Sequence, residues 1–189
     1  DGVLMDAATK RISLLDAAGS GAPVVVLLQA DAAPSRIAPI LAQHFRVLRY
    51  TVNDPEAGSS NELATALASH TTDPVGMIAD AASVHVAFAL IATRPELISA
   101  LALLAPPAPD RAFAELKTPV LALFGTRALP PQIGRQLRQA IANCHVMLVY
   151  DADDDMANQR PEAVAAALRD FMLAGDRFLV TGKSGKLYP

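Results

Sequence analysis

Pro74-Val-Gly-Met-Ile-Ala-Asp-Ala-Ala-Ser83 decides the fold. Residues 75–79 form a short, unbroken apolar run, suited to a strand covered on both faces. Small residues at Ala79, Ala81 and Ser83 line a tight turn, and the apolar stretch over 81–94 is long enough for a helix that must stop at Pro95-Glu96. A buried strand that turns directly into a helix is half of a βαβ crossover. The same alternation extends outward to both ends. Strands are predicted over 11–15, 24–29, 46–51, 75–79, 99–104, 120–124 and 146–150, and helices over 35–43, 61–69, 81–94, 131–142 and 161–173. This order predicts an α/β, doubly wound, mostly parallel sheet with helices on both faces.

At 189 residues the chain fits one domain, expected over 1–174, with 175–189 as a tail or linker. Apolar residues make up 52%, yet no stretch holds the ~18 uninterrupted apolar residues of a membrane span, and the start lacks a basic region leading into an apolar run. A soluble chain without a membrane partner is expected. It does not begin with Met, which leaves room for residues upstream. One cysteine, Cys144, permits no internal disulfide and fits a reducing compartment, so a cytoplasmic location is expected. A net charge of −3 with both signs dispersed, and 5% aromatics, provide neither a basic stripe nor a stacking platform, which excludes nucleic acid. No cofactor is expected. Gly182-Lys-Ser184 matches part of a phosphate-binding loop, but the glycine required five residues earlier is Arg177 and no helix follows.

Four stretches carry the chemistry. The first is the turn at Ala79–Ser83. The second runs from Gly21 through the apolar residues 24–28 to Gln29-Ala-Asp-Ala-Ala-Pro-Ser35. The third is Thr118-Pro-Val-Leu-Ala-Leu-Phe-Gly-Thr-Arg-Ala128, and the fourth Tyr150-Asp-Ala-Asp-Asp-Asp-Met-Ala-Asn-Gln-Arg-Pro-Glu162. In this order and spacing, and with His44-Phe-Arg-Val-Leu-Arg-Tyr-Thr51 between them, they resemble the α/β-hydrolase family over residues 19–173. The stretch from His44 to Thr51 is similar to the corresponding strand of the enol-lactonase-like branch.

The resemblance implies a site and at the same time empties it. The family's strand ends in G-x-S-x-G, with the nucleophile fourteen residues before a helix-ending Pro-Glu, and that count lands on Ala81. The flanking glycines become Ala79 and Ser83. Gln29-Ala30 stand where the family has its His-Gly oxyanion loop, and Thr51, Asn53 and Asp54 replace the Asp, Arg and first Gly of its D-x-R-G-x-G turn. The catalytic acid's position is Ala128, and the histidine, eight residues before the Glu of an R-P-E helix start, is Asp154. Ala81 cannot form an acyl-enzyme, Asp154 cannot take and return a proton as imidazole does, and Ala128 cannot orient one. The short stretch from Leu104 to Thr118 leaves no room for a cap domain.

What remains is a ligand cleft at Gln29, Ala30, Asp80 and Ala82, where backbone donors such as the Ala82 N–H are available to an anion or carbonyl oxygen. The expected function is a catalytically inactive α/β-hydrolase homologue acting as a structural or regulatory subunit, with a protein partner or a second copy. The alternatives are a module binding a small molecule in the vestigial cleft and a hydrolase with a rebuilt acidic or metal-assisted site.

Asp31, Asp80, Asp153, Asp154 and Asp155 are expected to gather at the carboxyl ends of the strands. Asp151, Asp153 and Asp155, with Ala157, Gln159 and Glu162, also fall on positions 1, 3, 5, 7, 9 and 12 of a calcium loop. Met156 stands in place of its glycine, Pro161 intrudes, and Glu162 belongs to a helix start, so a solvated acidic loop is the stronger reading. His85 is expected on a helix face, His44 and His70 at helix ends, and Ser83 inside a first helical turn with no base. Phe178-Leu-Val180 reads as a short strand able to pair with a sheet edge or another subunit.

Overall fold

The computed structural model describes residues 10–55, 58–110, 116–128 and 132–177. The seven predicted strands all form: β1 Ile12–Ala18, β2 Val24–Gln29, β3 Arg46–Val52, β4 Val75–Asp80, β5 Ile98–Leu104, β6 Val120–Gly125 and β7 Cys144–Val149. They build one sheet in the order β1-β3-β2-β4-β5-β6-β7. Only β1 runs antiparallel to its neighbour. The interior strands are buried along nearly their whole length, as both faces of a parallel sheet demand, whereas edge strand β1 alternates.

Two cores follow from the two covered faces. On one face the helices α2 (Ser59–Ala68), α3 (Val84–Thr93) and α4 (Ile133–Ala140) bring Leu63, Leu90 and Leu137 onto Leu28, Tyr50 and Met77. On the other, α1 (Ala38–Leu41), α5 (Met156–Gln159) and α6 (Pro161–Ala174) bring Leu41, Met156, Leu168 and Phe171 onto Val25, Ile78 and Leu121. Close helix-to-sheet approach needs Gly76: a Cβ there would meet the Met172 side chain of α6 and a methyl of Val25. The chain leaves β2 for β3 on one side and returns to β4 on the other. The carboxyl ends of β2 and β4 therefore splay into a crevice.

Three helices differ from expectation. The helix predicted over 35–43 contracts to α1, because the Ser35 Oγ accepts the Ala38 N–H at 3.2 Å and holds the preceding residues in a bend. The helix predicted from 81 begins only at Val84, for a reason given below. Residues 156–159, expected in a loop, form α5, seated by the fully buried Met156. Fifteen residues separate Leu104 from Val120, too few for a cap domain. The strand expected at 178–180, nearly all of the expected tail and the first residue of the helix predicted over 131–142 lie outside the described residues. Helix α6 ends at Ala174, with Gly175 at φ 55°.

Cys144 opens β7 as a buried thiol, and burial pushes it up from 9.0 to about 11. Alkylation by iodoacetamide at pH 8 is therefore expected to be slow in the folded protein and fast in urea. The folded state keeps the proton that the unfolded state releases, so stability should fall as pH rises from about 9 to about 11, as chemical denaturation across that window would measure.

Candidate functional site

A cavity of about 360 Å³ opens at the crevice between β2 and β4. Leu27, Leu28, Ile37 and Leu104 form its apolar wall, and Gln29, Asp31, Asp80, Ala81, Ala82, Asp154 and Asp155 reach it from the three loops after β2, β4 and β7. The fold thus brings together Gln29, Asp80, Ala81, Ala82 and Asp154, although they are spread over 125 positions of the chain.

The turn after β4 is organised by Asp80. Its Oδ1 accepts the Ser83 N–H at 2.8 Å and its Oδ2 accepts the Ala30 N–H at 2.9 Å, so one carboxylate closes the turn and ties it to the loop after β2. The competing turn delays α3 to Val84. Ala30 is thereby placed beside the cavity with its backbone donor already used. Among the described residues, left-handed backbone at non-glycine positions occurs only at Ala105 (φ 47°) and Asp151 (φ 51°). Ala81 is exposed in an unstrained turn, unlike the strained elbow that aims a nucleophile. Ser83 is fully buried and its Oγ has no hydrogen-bond partner, so it has neither access to the cavity nor a base.

Behind the cavity lies a buried arginine to which the sequence reading assigned no role. Arg49, 8% exposed, donates from Nε to Gln29 Oε1 at 3.0 Å, from Nη1 to Asp16 Oδ2 at 2.6 Å and from Nη2 to the Ala33 carbonyl at 2.6 Å. It fixes Gln29 and the loop after β2 from three directions. Its signal in the sequence is a charge inside the apolar strand Arg46–Val52. Arg36 bridges the same loop to α5, its Nη1 donating to the Asn158 carbonyl at 2.5 Å.

The acidic loop divides in two. Asp154 and Asp155 line the cavity with Asp31 and Asp80, but Asp151 and Asp153 do not. Asp151 pairs with Arg127 at 3.2 Å and Arg160 at 2.5 Å. Asp153 accepts from Gln159 Nε2 at 2.8 Å and from the Asp155 N–H at 2.9 Å, and these bonds hold its carboxyl below the usual range. The expected gathering of five aspartates is corrected to four. The calcium-loop reading of Asp151, Asp153 and Asp155 fails because α5 and α6 break the loop, which places Ala157 and Gln159 on one helix and Glu162 on the next. Among the described residues, no group of three or more His, Cys, Asp or Glu side chains is arranged to hold a metal ion.

Ala128 does not line the cavity. It sits in the turn after β6, which is bonded to the acidic loop through the Arg127 N–H to the Ala152 carbonyl at 2.9 Å. His85 is exposed on α3, His44 is exposed after α1, and His70 pairs with Arg46 through its carbonyl at 3.2 Å. None of these three lines the cavity.

No protein-family model matches the sequence, and no curated protein does. Solved structures match in shape. A hydrolase from Oleispira antarctica superposes with a TM-score of 0.73 at 13% identity, over 87% of this chain and 95% of its own. An α/β-hydrolase enzyme from the sediment metagenome of the Mar Chica lagoon, Morocco, gives 0.70 at 12%, over 85% and 94%. The carboxylesterase CesB of Bacillus subtilis gives 0.67 at 11%, over 83% and 86%. At these identities the likeness establishes the fold, and the chain has the α/β-hydrolase fold. No helix among the described residues is long and apolar enough to cross a membrane.

Proposed function

We propose that this is a catalytically inactive α/β-hydrolase-fold protein that acts in the cytoplasm as a structural or regulatory subunit, with its folded domain within residues 1–174. The observation that carries the reading is the Asp80 carboxylate. It binds the Ala30 N–H beside the exposed methyl of Ala81, so a backbone donor of the loop after β2 is satisfied by the protein itself. A carbonyl entering this cavity would meet no hydroxyl at Ala81, no imidazole at Asp154 and four carboxylates that oppose a developing oxyanion. Kinship with the enol-lactonase-like branch rests on residues 44–51 alone.

The test is the hydrolysis of an activated ester such as p-nitrophenyl butyrate. The expected outcome is no pre-steady-state burst from the natural protein and, in Ala81→Ser, a rate within about tenfold of the uncatalysed reaction, because the base and acid positions are Asp154 and Ala128. A burst stoichiometric with protein would overturn the reading.

The cavity favours one second reading, a module that binds a small molecule. Its position at the strand-order switch and its apolar wall are the general features of ligand sites. An organic molecule retained in native mass spectrometry of the protein purified from its source would favour this reading over the first.

A further inference from the structure

A groove of about 530 Å³ runs between edge strand β1 and helix α2, within the size range of small-molecule sites. It shares no lining residue with the cavity between β2 and β4. Alternation along β1 turns Ile12 and Leu14 to this side, and Ala66 meets them from α2. Tyr50 of β3, the register partner of Leu14, completes the wall.

Tyr50 is 2% exposed, and its hydroxyl is buried with no hydrogen-bond partner. Native interiors rarely leave such a group unsatisfied, because the lost hydration is not replaced. Burial pushes the phenol up from its ordinary value of 10.0, and the charge of Arg46 opposes this to a smaller extent, so at neutral pH the hydroxyl keeps its proton and is a donor. Arg46 therefore lies near that hydroxyl. The same guanidinium donates from Nη1 to the His70 carbonyl at 3.2 Å and stands 3.5 Å through Nη2 from His70 Nδ1. His70 lines the groove as well, which puts the hydroxyl at the His70 end of it.

The missing partner is an acceptor. A guanidinium can only donate, so His70 Nδ1 accepts from Arg46 and the neutral ring carries its hydrogen on Nε2, a second donor at the same end. Glu62 is the one carboxylate that lines the groove among the described residues. It sits in the first turn of α2, at the far end from His70, and its Oε2 accepts the Arg11 N–H at 3.2 Å. An oxygen acceptor held at the His70 end, with an apolar body laid along Ile12, Leu14 and Ala66, suits this layout. A cation does not, because the charge of Arg46 repels it.

We propose that the groove between β1 and α2 binds a small, mostly apolar molecule through one carbonyl oxygen, which accepts the hydrogen of the Tyr50 hydroxyl. Titration of the nitrogen-15-labelled full chain with 2-octanone, followed by amide NMR, tests it. Shifts are expected at amides around residues 12–14, 50 and 62–70, with a dissociation constant of about 1 mM or below. Tyr50→Phe should stay folded and bind about tenfold more weakly, the loss of one hydrogen bond. Thr65→Trp, at an exposed position of α2 that lines the groove, should block it, and carries the test if Tyr50→Phe fails to fold. An absence of shifts at ~5 mM 2-octanone overturns the proposal, and so does an undiminished affinity in either folded variant. Shifts centred on residues 29–31 and 80–82 overturn it in favour of the cavity between β2 and β4. Binding that appears only after removal of residues 1–9 overturns it in favour of those residues as the occupant.

Discussion

Phe171→Ala is expected to lower the unfolding free energy by about 3–5 kcal/mol, the cost of deleting a fully buried ring and leaving a cavity. Phe171 lies on the apolar stripe of α6 with Val164 and Leu168, the side of the helix that covers the second core. The void cannot close easily, because α6 is pinned at one end by the Arg160 carbonyl accepting the Val164 N–H at 3.0 Å and approaches β4 at Gly76 near the other. For a chain of this size the melting temperature should fall by roughly 10 °C. A thermal unfolding scan measures it, and a shift under about 3 °C would mean that α6 does not pack as described.

Gly125→Ala should cost upward of about 3 kcal/mol by a different route, since here an atom is added where backbone already stands. A Cβ on Gly125 would fall far inside contact with the carbonyls of Ala152 and Asp153. Neither carbonyl can rotate away. The loop is held by the Thr126 N–H to the Val149 carbonyl at 3.0 Å, the Arg127 N–H to the Ala152 carbonyl at 2.9 Å and the Asp151 N–H to Thr126 Oγ1 at 3.0 Å. Either the end of β6 or the whole acidic loop must shift, and the latter would carry Asp154 and Asp155 from the cavity wall. Chemical denaturation reports the loss of stability, and a wild-type midpoint would contradict this close approach.

The strands were legible because each interior strand is covered on both faces, so its sequence is an apolar run that needs no knowledge of its neighbours. Residues 24–29 and 120–124 show this most plainly, and both strands form within one residue of expectation. Helix starts were less legible. Ala81, Ala82 and Ser83 favour a helix in isolation, yet the Asp80 carboxylate captures the Ser83 N–H and bonds across fifty positions to Ala30. That second bond depends on the strand order.

The cleft positions Gln29, Asp80, Ala81, Ala82 and Asp154 could be placed by spacing, because the spacing between strand end and helix start fixes which residue tops each strand. Side-chain direction could not. Asp153 and Asp155 are two residues apart in one acidic run, and only the contacts of Asp153 with Gln159 and Arg127 draw it away from the cavity that Asp155 lines. Arg49 shows the same limit, since its three acceptors come from two segments far from it in the chain, Asp16 on β1 and Gln29 with Ala33 at the end of β2 and in the loop after it.

The central claim is that this fold has no nucleophile at its strand-order switch, where Ala81 stands beside a carboxylate that already holds the backbone donor of Ala30. The most direct measurement is the intact mass of the full chain after incubation with excess fluorophosphonate, which marks an activated serine irreversibly. The expected spectrum is that of the unmodified protein. A stoichiometric adduct that maps to any serine would contradict the account.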